Sequence, residues 1–350
     1  MKKLILPIFI AIILLSCGDQ ENVPDVSSIK ITIDTKRFEQ DFFRIDTMNI
    51  PASLNAMLKK YPGFLPDFMA NILGLDLDSV MISGNPQAEA LLTFLRDYSP
   101  IKDSADLVYK NFNRESDAIV KGLQFVKYYF PQYKIPESII TFIGPINASF
   151  ATSFGVQGDV ITPNSFGIGL QLHLGKEFSF YRSPQGLALY PDYISNNFDA
   201  AHIPINCMKN VVDDLFPEKN IGQALIEQMV AKGRRIYLLT KFLPYAPEHE
   251  CMGYTKQQME NSYKNEAVIW DFFLNNDLLN KTDQSLVKNY IGESPKTQEL
   301  GEDAPGNLGT FAGLQIIKKY MEKNPETTLD HLMTMDARAI YNESKYKPRP

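Results

Sequence analysis

Histidine and cysteine are scarce in this 350-residue chain, four of the first and three of the second. Zinc centres draw mostly on these side chains at short spacings, and His173, His202, His249 and His331 stand far apart. A zinc peptidase carries His-Glu-x-x-His on one helix face, with the Glu as base. His249-Glu250 begins that pattern, but Gly253 stands where the second histidine is required, in a loop bounded by prolines. The Gly-x-Ser-x-Gly elbow and the phosphate-binding Gly-x-x-x-x-Gly-Lys-Ser/Thr loop are also absent. Gly167-Ile-Gly169 lacks the third glycine and following helix of a dinucleotide site. Asp213-Asp214 has no calcium-loop pattern around it and reads as a solvated helix end. No catalytic residue and no metal ligand is therefore assigned. Basic runs are missing too, and the net charge of −6 excludes a nucleic-acid surface. Low-complexity tracts and solenoid-spaced repeats are not found.

Long apolar runs are confined to one place. Met1-Lys-Lys3 is followed by the apolar stretch Leu4 to Leu15, broken by Pro7. A bilayer span takes ~20 apolar residues, so this stretch reads as the core of a signal peptide. It ends in Leu14-Leu15-Ser16-Cys17, similar to a bacterial lipobox, although Leu15 is larger than usual at the middle position. The expectation is a leader over 1–16, a Cys17 that carries acyl chains such as palmitate, and a polar tether over 17–28. No cofactor beyond that covalent lipid is expected, and the lipid is the link to the membrane. Each buried methylene contributes ~0.8 kcal/mol, so several chains anchor firmly. Cys207 and Cys251 remain. They are a candidate disulfide in an oxidising compartment or, as the simpler reading, two buried thiols, since sequence gives no Cα separation.

The rest of the chain, 29–350, has no linker clear enough to split it. Its patterning predicts a mainly α protein with a small antiparallel β-sheet, an α+β class. Ile221 to Leu243 repeats its apolar residues near the 3.6 period and ends at Pro244. Thr255-Lys-Gln-Gln258 then has capping-box spacing and opens a second helix through Trp270 to Leu279. These two helices are the expected centre of the core. Further helices are expected from Asn49, over 87–98, 104–111, 116–130, 206–216, 281–290, 310–323, 327–333 and 335–342. Strands are expected at Ile29–Ile33 and within Ile139–Gly175, with His173 inside a strand or short helix as a hydrogen-bonded packing residue. Glu227 and Glu266 read as capping or salt-bridging acids, with Arg234, Arg235 or Lys264 as partners. Tyr61, Phe64 and Phe68 read as a buried corner of the core in preference to a partner surface.

The series Tyr61-Pro-Gly-Phe-Leu-Pro, Thr162-Pro-Asn-x-Phe-Gly-Ile-Gly-Leu-x-x-x-Leu-Gly175, Gly253-Tyr-Thr-x-x-Gln, Asn265-Glu-Ala-x-Ile-Trp270, Pro305-Gly-Asn-Leu-Gly309 and Ser344-Lys-Tyr-Lys-Pro348 resembles the gliding-motility lipoprotein GldB family of Bacteroidetes. The resemblance runs from about Ile29 to the C-terminus, and the lipobox agrees with it. It implies a lipid-anchored envelope protein at the outer membrane, with its domain in the periplasm. Its implied role is structural, in gliding motility and the linked type IX secretion machinery, with envelope proteins as partners. A second similarity is to the layout of gluzincin-like peptidases. There a sheet precedes a helix bearing the paired histidines, and a later helix supplies a Glu before Gly. Here Met208 to Val212 offers no paired histidines, and Lys232 precedes Gly233. That similarity implies a metal-free, zincin-like scaffold binding peptides or secretory chains between Asn206 and Gly233. A hydrolase with unrecognised residues is the third reading.

Overall fold

A computed structural model describes residues 23–301 and 304–348. The lipobox and Cys17 lie outside the described residues. Four short strands form one sheet in the order β1 (Asp34–Arg37), β2 (Ser138–Phe142), β6 (Ser165–Gly169), β5 (Val160–Ile161). Between β2 and β5 lies a separate hairpin of β3 (Phe150–Thr152) and β4 (Gly155–Gln157). Most of the remainder is helical and packs around these sheets.

The four-stranded sheet is mixed, where the sequence had suggested antiparallel pairing. β2 runs parallel to both β1 and β6, and only β5 is antiparallel to its neighbour. The reason is that β2 is buried on both faces. Ile139 joins one apolar cluster while Ile140 and Phe142 join another, and a strand covered on both sides shows a continuous apolar run typical of parallel sheets. The crossover from β1 to β2 is long and helical, as a parallel pair requires. It includes Pro86–Val108 and Asn113–Tyr129. Pro86–Val108 is one helix, not the two expected, with Pro100 inside it. The ring removes an amide donor to the Arg96 carbonyl, and Arg96 is exposed, so water can serve that carbonyl. The expected strand at Ile29–Ile33 does not form, and pairing starts at Asp34.

Phe38, Tyr61, Phe64, Phe68 and Phe142 pack on one face of the sheet, with Phe38 centred 4.9–5.0 Å from Tyr61, Phe64 and Phe68. The Tyr61–Phe68 stretch is therefore core. On the other side, the Leu225–Phe242 helix forms the predicted spine, and its N-terminus is capped by Glu227, whose carboxylate accepts from the Ala224 amide at 3.0 Å. The second predicted helix is divided at Asn265 into Lys256–Lys264, opened by the Thr255/Gln258 capping box, and Glu266–Asn275. The closest partner of the spine is instead the Leu308–Lys323 helix.

Candidate functional site

A concavity among the described residues holds about 1050 Å³. One wall is the β3–β4 hairpin, whose tip and β4 face the space while Phe150 and Ala151 of β3 do not. Behind them stand the His202–Leu215 helix with Asn206 and Lys209, and the spine with Lys232 and Arg235. Glu293 and the start of the Leu308–Lys323 helix complete the lining. The hairpin tip is tethered by charge. Asp213 accepts from the Ser153 amide at 2.8 Å and from its hydroxyl, and it pairs with Arg235 at 2.7 Å. Lys232 donates to the Ser153 carbonyl and pairs with Glu218 at 2.8 Å. Asp213 thus has a structural role in place of the solvated one expected, because the chain folds Ser153 back onto it.

Asp159, fully buried, organises the base. Its carboxylate accepts from the Gly169 amide at 3.0 Å, from Asn206 Nδ2 at 2.9 Å and from His173 Nε2 at 2.8 Å. His173 Nδ1 lies 3.1 Å from the Asp199 carbonyl. A carbonyl only accepts, so Nδ1 carries a proton, and Nε2 facing a carboxylate carries another. Burial alone would lower the imidazole pKa, but the Asp159 charge and hydrogen bond and the Asp199 carbonyl outweigh it, and the ring is held above its ordinary value. His173 is thus a hydrogen-bonded packing residue, as the sequence suggested, in a site that favours its protonated form.

Two charged groups inside the cavity have less support. Lys209 has no hydrogen bond or ion pair among the described residues and lies 5.8 Å from the Phe154 ring centre. Burial lowers its pKa against the pull of Cys251 and Glu293. Glu293 accepts from the Val156 amide of β4 at 3.3 Å. Burial raises its carboxyl pKa, opposed by that amide and by Lys209. The Thr310 hydroxyl, on a residue 3% exposed, and Asn307 Oδ1 also line the cavity without a partner. Asn307 takes the left-handed conformation, φ +61°, which turns the chain into the helix.

The sequence had singled out neither Asp159, Lys209, Glu293 nor Thr310. None carries a spacing signature, since each comes from a different segment. Of the histidines, His173 alone lines the cavity; His202 Nδ1 meets Asp199 at 2.8 Å, His249 sits in the short helix Glu248–Met252, and His331 is exposed. Glu227 caps its helix as expected, but its ion-pair partner is Arg338 at 2.9 Å, and Glu266 accepts from the Tyr346 hydroxyl at 2.7 Å. Cys207 and Cys251 are free and buried, so the candidate disulfide between them is not made. Burial pushes the Cys251 thiol up to about 12 and Cys207 well above its usual value. The thiolate is the reactive form, so neither should react with a thiol reagent in the native protein. Unfolding in guanidinium without reductant should release two reactive thiols, and release of none would show that they are bonded.

No curated protein and no solved structure matches the chain. Residues 19–348 match the family model of gliding motility protein GldB. That match spans nearly the whole chain, and the chain belongs to the GldB family.

Proposed function

We propose that this protein is a lipid-anchored, non-catalytic component of the cell envelope, with a structural or assembly role in gliding motility and the linked type IX secretion machinery. The observation that carries the reading is the family match over 19–348 together with the lipobox Leu14-Leu15-Ser16-Cys17 at its border. Acyl chains on Cys17 would hold residues 29–350, as one domain, on the periplasmic side of the outer membrane. Among the described residues no helix is long and apolar enough to cross a membrane. Cys17→Ala should move the protein from the membrane to the soluble fraction and abolish labelling by a fatty acid. Unchanged membrane partition without labelling would sink the anchoring claim. Cross-linking in native membranes, followed by identification of the captured proteins, tests the partner class. Gliding or secretion components above a control lipoprotein are expected.

A second reading is favoured by the cavity itself: a non-catalytic, zincin-like scaffold that binds peptides or secretory chains. Asn206, Lys209 and Lys232, from the segment that the similarity to gluzincin-like peptidases singles out, supply part of the cavity's lining. The donor set does not suit zinc. Asn206 is engaged as a donor to Asp159, and the ammonium groups of Lys209 and Lys232 face the same space, where their charge opposes a cation. Peptide turnover by the purified protein would instead revive the hydrolase reading.

A further inference from the structure

The cavity holds a lysine without an acid partner although the chain is acidic. Four Lys or Arg side chains line it against two Asp or Glu, while the whole protein carries −6. Lys232 and Arg235 are paired with acids outside the lining. Lys209 is not, and its charge faces the space. An unpaired cation in a cleft attracts ligands of the opposite sign.

The hairpin adds a second recognition element. Among the described residues β3 and β4 form a sheet of two strands only. In the register Thr152↔Gly155, Ala151↔Val156, the Val156 amide points away from β3. It is satisfied by the Glu293 carboxylate, not by a strand. That side chain lies flush on the β4 backbone. A Cβ at Gly155, φ +119°, would stand 2.3 Å from Glu293 Oε1. Glu293 therefore occupies the place that an added strand would take. Its burial is costly to its own charge, so it is a replaceable occupant.

We propose that the cavity binds the C-terminal end of an extended peptide, which adds along the β4 edge and sets its α-carboxylate on the Val156 amide in place of Glu293, drawn there by Lys209. Strand addition supplies main-chain hydrogen bonds, and a backbone amide beside a cation captures a terminal carboxylate. About 1050 Å³ is ample for several residues and far more than a small anion needs. The group now on Val156 is itself a carboxylate, which favours an acid terminus over a mid-chain carbonyl. Thr310, with its open hydroxyl, is a further donor in the same space.

This inference rests on the second reading of function. The test uses the full chain in detergent and fluorescein-labelled, strand-forming hexapeptides, one pool with free C-termini and one amidated. The free-acid pool should bind at least tenfold more tightly. Glu293→Ala should tighten acid binding several-fold by removing the internal competitor. Lys209→Met should erase the acid preference while leaving thermal unfolding at or above the parent value. Equal binding of both pools by all three proteins would overturn the carboxylate mode and leave a peptide-binding cleft standing. Binding of neither pool, or of inorganic phosphate alone, would remove both.

Discussion

Asp159→Ala should cost about 3–5 kcal/mol of folding stability, the range for removing one partner of a buried ion pair. The carboxylate serves three donors at once: the Gly169 amide, Asn206 Nδ2 and His173 Nε2. Alanine leaves all three buried and open, and it leaves an imidazole in a fully enclosed site. The pH profile should reverse. In the parent protein the folded His173 pKa is raised above its unfolded value near 6.5. Between those values the native state binds more protons than the unfolded state, so this stabilisation is full below about 6.5 and is lost as pH rises through the folded pKa. In Asp159→Ala, burial dominates and the folded pKa falls below the unfolded one. The unfolded state then binds more protons, and the His173 contribution grows as pH rises towards 7. Urea midpoints followed by circular dichroism from pH 5.5 to 8.5 would read both effects. A variant whose pH slope kept the parent's sign would show that Asp159 does not set the charge on His173.

The same network explains what the sequence could and could not convey. Periodicity and end signals located most helices because they are local. The Thr255/Gln258 capping box and the termination by Pro244 act within a few residues. His173 could be read as packing because its neighbours Leu172 and Leu174 are apolar. Its partner could not, because Asp159 is reached only when β5 and β6 pair. Strand direction was lost for a related reason. The run Ile139–Ile143 is compatible with either direction until β1, more than 100 positions earlier, is seen to lie beside it. The solvated reading of Asp213 and the ion-pair partner expected for Glu227 failed because Ser153 and Arg338 are brought in by tertiary folding. The segment between Asn206 and Gly233 supplies only part of the cavity, through Asn206, Lys209 and Lys232, and neither the other walls nor the charges were legible. Glu293 and Thr310 come from the last part of the chain and carry no motif.

Gly313→Ala should lower stability by about 3 kcal/mol, the upper end of what overpacking costs. Alanine favours a helix over glycine by ~1 kcal/mol, so on a solvated helix the same change would stabilise. The sign turns on close approach. A Cβ at Gly313 would lie 1.8 Å from the Met229 carbonyl oxygen and 2.5 Å from its carbon. A Cβ at Gly233 would meet the Gly313 carbonyl carbon at 2.2 Å. These neighbours are backbone, so no side chain can rotate aside, and the two helices must separate. Gly233→Ala should behave likewise. Gly63→Ala is the control, since a Cβ there meets nothing within 4 Å and φ is −90°; its urea midpoint should barely move. The crossing also ties stability to the cavity. Leu225–Phe242 carries Lys232 and Arg235, and Leu308–Lys323 carries Thr310, so forcing the helices apart displaces two walls together. Any Gly313→Ala protein that folds should therefore bind cavity ligands more weakly than Gly63→Ala. Equal stability of the two variants would mean that the helices part without penalty, and the glycines would then have no packing role.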